Sequence, residues 1–162
     1  MYTKRTVHLS CTPEQCFAEV LTPRLMLHIA SPLVHFSPIE PKVLPERWEQ
    51  KEYLISVRLF KFLPIGRQWV NISGQDRSNE VGHFFMELRD NGRGTLMSKW
   101  DHLITIESSG QGCSYTDRVE VKAGLLTPLV WLFAWFFYRH RQCRWQRLVA
   151  NGFAYGQPGR AQ

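Results

Sequence analysis

The chain has 162 residues, of which 44% are apolar and 21% charged, and a net charge of +6. That is the length and make-up of one globular domain able to bury its own core, and it leaves out a chain of low complexity or internal repeats. The basic residues are scattered apart from Arg139, Arg141, Arg144 and Arg147. They read as a generic basic surface, so no nucleic-acid partner is expected.

Thr6 to Ser10 predicts a short strand. In TPEQ, Thr12 can cap, Pro13 suits the first helical position and Gln15 completes a capping box. A helix over about 13–21 follows, and Pro23 opens a second over 24–29. Residues 33–48 are extended and broken by prolines. KEYLISVRLFKFL then alternates, placing Tyr53, Ile55, Val57 and Leu59 on one face. RQWVNISGQDR and EVGHFFMELRD alternate too. After the turn DNGRG come TLMSKWDHLITIES and, past SSGQG, CSYTDRVEVKAG. About seven strands result, joined by short turns and therefore antiparallel. A long helix runs from about Thr127 to Ala150 and stops at Asn151-Gly152. A single domain over 1–150 is expected, with a flexible Gly-rich tail over 151–162.

From Leu125 to Tyr138 the chain is almost wholly apolar. As a helix this stretch reaches about 21 Å, short of the roughly 30 Å needed to span a bilayer. The start MYTKRTVHLSC has no apolar signal region. Cys11, Cys16, Cys113 and Cys143 form no CxxC and no Cys/His set with zinc spacing. Four reduced thiols in the cytoplasm are expected, with no metal and no cofactor.

LRDNGRGTLMSKWDHLITIESSGQGCSYTDRVEV carries an Asp, a Gly turn, a Trp-x-His strand, a second Gly turn and a Thr-Asp-Arg-Val strand. These are Asp90, Gly94, Trp100, His102, Gly112, Thr116, Asp117, Arg118 and Val119. The pattern resembles the ligand-binding branch of the SRPBCC, or START-like, superfamily. FFYRHRQCRWQRL resembles the last helix of that group. Thr95 stands where the pattern usually has Pro. The resemblance spans about residues 4–150. It implies an α+β helix-grip fold: a curved antiparallel sheet of about seven strands wrapped around a long C-terminal helix, with two short helices after the first strand. It also implies an apolar cavity between sheet and helix that takes lipids, quinones, polyketides or similar molecules. A few members are cyclases or aromatases, so fold alone does not give the reaction.

Strand alternation selects the lining. Trp100, His102, Ile104 and Ile106 share one side of the sixth strand, and Cys113, Tyr115, Asp117, Val119 and Val121 one side of the last. Phe84, Met86 and Leu88 point inward on the fifth strand, with Val81 and His83 outward. The expected ligand-binding set is therefore Tyr53, Ile55, Val57, Phe84, Met86, Leu88, Trp100, His102, Ile104, Tyr115 and Asp117, joined by Val130, Phe133 and Phe137 from the helix. An inward Asp117 beside an inward His102 must pair, either as a brace (to each other, or through Arg139 or Arg141) or as a polar end that orients a ligand.

Two stripes mark the helix. Val130, Phe133, Phe137 and Arg141 suit the sheet. Trp131, Trp135, Tyr138, Gln142 and Trp145 form the second, and its Trp131–Trp135–Tyr138 part needs another partner: the N-terminal helices and the Pro-rich loop, an anionic membrane met together with the Arg-rich end, or a second copy in a homodimer.

No phosphate loop, nucleophile elbow or metalloprotease motif is present. Two functions remain. One is binding or transfer of a small hydrophobic molecule. The other is a cyclase/aromatase-type enzyme in which His102 and Asp117, with Tyr115 at hand, supply acid and base.

Overall fold

A computed structural model describes residues 1–81 and 83–156. In chain order it contains β1 (Tyr2–Leu9), α1 (Pro13–Val20), α2 (Pro23–Ala30), β2 (Val34–Glu40), β3 (Glu52–Leu59) and β4 (Leu63–Asp76). These are followed by α3 (Ser78–Val81), β5 (Phe85–Gly94), β6 (Lys99–Ser109), β7 (Gly112–Lys122) and, after a 3-10 turn, α4 (Thr127–Ala150). The seven strands form one antiparallel sheet in the order β1-β7-β6-β5-β4-β3-β2. Six strands run as a meander, and β1 closes onto β7. The fold is α+β, with the long α4 lying on the sheet, as expected.

Local chemistry accounts for most boundaries. Thr12 Oγ1 accepts from the Gln15 backbone N–H, and Gln15 returns the bond to Thr12 N, so α1 starts on a complete capping box. Thr22 caps α2 in the same way at Leu25 N, with Pro23 in the first turn. The extended Pro-rich stretch supplies the second strand: residues 34–40 form β2, the edge strand, and the register slips between Pro38 and Glu40. An edge position next to a bulge tolerates a residue that cannot donate.

The fifth strand begins later than its alternation suggests. Asp76 Oδ1 accepts from Ser78 N, and Ser78 Oγ accepts from Phe85 N, which folds Ser78–Val81 into a helical turn. Val81 therefore belongs to α3 rather than to a strand, and Gly82 lies outside the described residues. The stretch read as one strand to Leu63 turns back at Phe60 and Lys61, which adopt positive φ of 49° and 71°. This makes the β3–β4 hairpin, with Leu59 opposite Leu63.

The Thr95 departure has a structural role. Its Oγ1 accepts from Arg67 N at 3.1 Å, and its side chain fills the space beside Gly66, where an added Cβ would come within 2.8 Å of Thr95 Cβ. A Thr therefore locks the β5–β6 loop to β4 through a bond that proline could not make.

On α4 the two stripes do not go to separate partners. Ala134, Phe137, Tyr138, Arg141, Gln142, Trp145, Leu148 and Val149 are all buried, because a helix sunk into a concave sheet is covered over a wide arc. The same helix is tied to α2, with His140 Nε2 bonding the Ser31 carbonyl and Arg144 Nε donating to that of His28. Trp131 donates its Nε1–H to the Tyr2 carbonyl at 2.8 Å, while Trp135 is exposed. Tyr138 meets Trp100 and His102, Gln142 bonds Asp117, and Trp145 meets Tyr115, so this stripe also contacts the sheet. The expected tail over 151–162 falls partly on residues 157–162, which lie outside the described residues. Before them, Phe153 packs edge-on against Trp145, and the Tyr155 hydroxyl bonds the Glu19 carboxylate.

Candidate functional site

Strand register decides what meets between sheet and helix. On β5 and β6, Asp90 sits directly opposite His102 and Leu88 opposite Ile104. On β6 and β7, Ile104 sits opposite Asp117. Directly paired residues share a face of the sheet. Asp90, His102 and Asp117 are therefore brought together on the face covered by α4.

Asp117 is the best-satisfied of the three. Its Oδ1 lies 2.7 Å from His102 Nε2 and accepts the Tyr115 hydroxyl at 3.0 Å. Its Oδ2 accepts the Gln142 amide at 3.0 Å, and Gln142 also donates to the Arg5 carbonyl. Burial raises the Asp117 pKa, but the His102 bond, the Arg141 charge and the Gln142 bond outweigh it, and the carboxyl stays below its ordinary range. Burial lowers the pKa of His102 despite Asp117, so its ring is neutral and donates to a carboxylate. The Asp–His pair is a brace, completed by Tyr115 and Gln142 rather than by Arg139 or Arg141.

Two adjoining chambers lie in front of this brace. The inner one, about 80 Å³, is walled by Asp90, His102, Tyr115, Tyr138, Arg141 and Gln68 among apolar residues of α2, β3, β4 and β5, with Trp48 from the β2–β3 connection. The outer one, about 310 Å³, is walled almost wholly by apolar side chains, among them Phe36, Val57, Leu59, Ile65, Met97, Leu129, Val130 and Phe133. Phe36, Gln68, Trp100 and Phe137 line both, and so form the boundary between them. Leu96 and Leu129 line the outer chamber and are also exposed, so it opens between the β5–β6 loop and the start of α4.

The inner chamber carries two poised groups. Burial pushes the Asp90 carboxyl up to about 7, against the Asn71 N–H that donates to its Oδ1 at 2.9 Å and the nearby Arg141 charge. Arg141 is only 9% exposed, yet no carboxylate of the described residues lies within ion-pair distance of it. Burial disfavours its charge, but Asp117, Tyr138 and Tyr115 overcome that and keep it cationic. Its guanidinium stacks 4.9 Å from the Tyr138 ring centroid, and its Nε has no hydrogen-bond partner among the described residues.

Of the expected lining residues, Ile55, Val57, Leu88, Trp100, His102, Ile104, Tyr115, Val130, Phe133 and Phe137 do line one chamber or both. Tyr53, Phe84, Met86 and Asp117 line neither. Tyr53 is fully buried, with its ring edge-on to Trp48 and its hydroxyl accepting from Glu49 N. Met86 pairs with Asp76 and Ile106, at the end of the sheet beyond the cavity, and Phe84 precedes it there. Asp117 stands behind His102 and Tyr115. Sequence reasoning missed Asp90, Gln68 and Tyr138 as wall residues, while Arg141 stood on the stripe it assigned to the sheet. The signal existed for two of them: Asp90 continues the inward set of Leu88, and Gln68 that of Val70 and Ile72.

No family model and no curated protein sequence matches the chain. Solved structures do. A protein from Chromobacterium violaceum superposes with a TM-score of 0.68 at 12% identity, over 91% of this chain and 96% of that one. The chain has the START-like, helix-grip fold. A START superfamily protein from Mycobacterium smegmatis matches with a TM-score of 0.57 at 12% identity, over 93% and 97% of the two chains. Truncated norcoclaurine synthase from Thalictrum flavum matches with a TM-score of 0.57 at 10% identity, over 92% of each. This helix-grip chain is therefore built like proteins of quite different sequence, and what it binds must be argued from its own cavity. No helix among the described residues is long and apolar enough to cross a membrane.

Proposed function

We propose that the protein binds and transfers a small amphipathic molecule (a lipid, quinone, polyketide or similar), with its apolar body in the outer chamber and an oxygen acceptor at the inner one. The observation that carries this reading is the join between the two. An apolar chamber of about 310 Å³ leads to a buried Arg141 whose charge no side chain neutralises at contact distance. Burial of apolar ligand surface contributes roughly 25 cal/mol per Å² before losses, or about 7 kcal/mol for 300 Å². A carbonyl, phenolate or carboxylate oxygen facing Arg141 and His102 supplies orientation. The test is extraction of the natively purified protein followed by mass spectrometry. An amphipathic molecule at near one per chain, lost from Val130→Trp and depleted in Arg141→Met, supports the reading. A chain that carries none and takes up no fluorescent fatty acid or quinone analogue overturns it.

Exchange with an anionic membrane is part of the same reading. Trp131 is tied to Tyr2 and Arg141 is turned into the cavity, while Trp135, Phe136, Arg139 and Arg147 stand exposed on α4. Further exposed apolar residues lie beside the outer chamber's mouth: Phe60, Phe62 and Leu63 on the β3–β4 hairpin, Leu96, Leu125 and Leu126 in the 3-10 turn, and Leu129 and Leu132 on α4. Residues 53–75, 91–100 and 121–150 contain no Asp or Glu. Arg58, Lys61, Arg67 and Lys122 stand exposed in them, a charge pattern complementary to anionic headgroups.

A second reading rests on Asp90. The half-buried Asp90 carboxyl, pushed up to about 7 in the wall it shares with neutral His102, suits general acid–base work on an enolisable ligand. In this cyclase-type reading Asp117 orients His102 rather than exchanging protons itself. Conversion of a bound polyketide-like substrate that Asp90→Asn abolishes without loss of ligand affinity would favour the enzyme. Unchanged bound ligand would favour the carrier.

A further inference from the structure

Three of the four cysteines, distant in sequence, converge. Cys11 lies in the bend after β1, Cys16 on α1 and Cys113 on β7 opposite Leu9. All three are buried, and their Sγ atoms lie within 4.8 Å of one another. Neither chamber of the cavity includes any of them.

The scaffold around the cluster is stiff. The capping box fixes the first turn of α1 and with it Cys16. β7 approaches β1 so closely at Gly112 that an added Cβ would stand 2.2 Å from the Leu9 carbonyl oxygen. Metal–thiolate bonds of about 2.3 Å place three sulfurs roughly 4 Å apart around one ion. The thiols are therefore within about 1 Å of a coordinating arrangement, and a small side-chain adjustment closes it.

We propose that Cys11, Cys16 and Cys113 form a three-thiolate site for one soft cation, copper(I), held without oxygen or nitrogen ligands. The donor set decides the metal. Sulfur-only coordination selects soft ions. Zinc takes four ligands in structural sites, or three plus water in open ones. Among the described residues no His, Asp or Glu joins the three sulfurs. Copper(I) is satisfied by three.

The proton balance is simple. Three thiols lose their protons to solvent as copper(I) binds and three Cu–S bonds form, with no change of oxidation state. The charged and titratable groups facing the cluster are His8, Glu14 and Tyr115. Cys11 is the least buried of the three sulfur residues and gives the ion its way in.

The test is anaerobic titration of the reduced full chain with copper(I) against bicinchoninate, with folding followed by near-ultraviolet dichroism. Exposed Cys143 is the internal control. The expected result is one copper per chain, three sulfur scatterers by X-ray absorption, native dichroism, and a raised Tm because the ion binds only the folded chain. Cys143→Ser should leave this unchanged, and Cys11→Ser should weaken affinity at least 100-fold. Should Cys11→Ser not fold, protection of Cys11, Cys16 and Cys113 from alkylation by copper(I) in the native chain reads the same site. Copper uptake abolished by Cys143→Ser, uptake only with loss of the native dichroism, or three thiols left unprotected would overturn the proposal and leave the cluster as core packing.

Discussion

His102 and Asp117 are fifteen residues apart in the chain and 2.7 Å apart at Nε2 and Oδ1. Both are buried, and Tyr115 and Gln142 complete the carboxylate's bonds. Removing one partner leaves the others buried without a match, which typically costs about 3–5 kcal/mol. Asp117→Ala should lose that much in urea unfolding. The double variant with His102→Ala should lose less than the two single losses combined. Additive losses would show that the pair is not coupled.

Acid should unfold the protein in two stages. His102 has a lowered pKa in the folded state, so its contribution is whole above the unfolded value of about 6.5 and shrinks below it, as the unfolded chain takes up the proton first. Asp117 is also lowered, and its contribution is lost only below about 3.9. His102→Gln should flatten the upper stage of a stability-against-pH curve and leave the lower one.

Asp90 works in the opposite sense. With its folded pKa at about 7, it keeps its proton in the folded state while the unfolded chain has lost it, so stability falls as pH rises from about 4 to 7. Asp90→Asn can still accept from Asn71 N. Relative to the parent it should gain stability at pH 8, on the order of 3 kcal/mol, and show almost no gain below pH 4. Denaturant curves across that range check the sign, and a constant difference would contradict it.

The hairpin tip gives a separable test of membrane exchange. Phe60 has φ of 49°, a conformation that favours glycine, and it stacks on Phe62, which is 77% exposed. Phe60→Gly should therefore hold or raise Tm. Combined with Phe62→Ser, it should reduce binding to phosphatidylserine vesicles about tenfold or more. Equal binding by parent and variant in a sedimentation assay would move the exchange surface elsewhere.

Tyr155 lies 4.0 Å under the Arg24 guanidinium, edge-on to His28, with its hydroxyl on Glu19. Tyr155→Phe keeps the ring contacts and loses the bond, at about 1 kcal/mol. Tyr155→Ala should lose clearly more. Thermal unfolding of the two variants separates ring packing from the hydroxyl.

Much of this was legible along the chain. Thr12 and Gln15 marked the first short helix and Pro23 the second, and two-residue alternation marked Ile55, Trp100, His102 and Tyr115 as inward. Alternation failed at Val81, where Ser78 and Asp76 bond the backbone locally and turn it out of the strand. It also ran past the sharp reversal at Phe60 and Lys61, because those residue types carry no turn signal. Asp90 continues the inward set of Leu88, but only its register against His102 brings it to the cavity.

The sequence by itself determined the element order, the single sheet and the inward face of each central strand, since these follow from local capping and period. Only the tertiary structure decided which inward residues meet. Cross-strand register put Asp90 against His102. The depth at which α4 sits turned Tyr138 and Arg141 into the cavity, and the closure of β1 onto β7 drew three cysteines together. Those contacts depend on distances between residues far apart in the chain, and neither spacing nor periodicity encodes such distances.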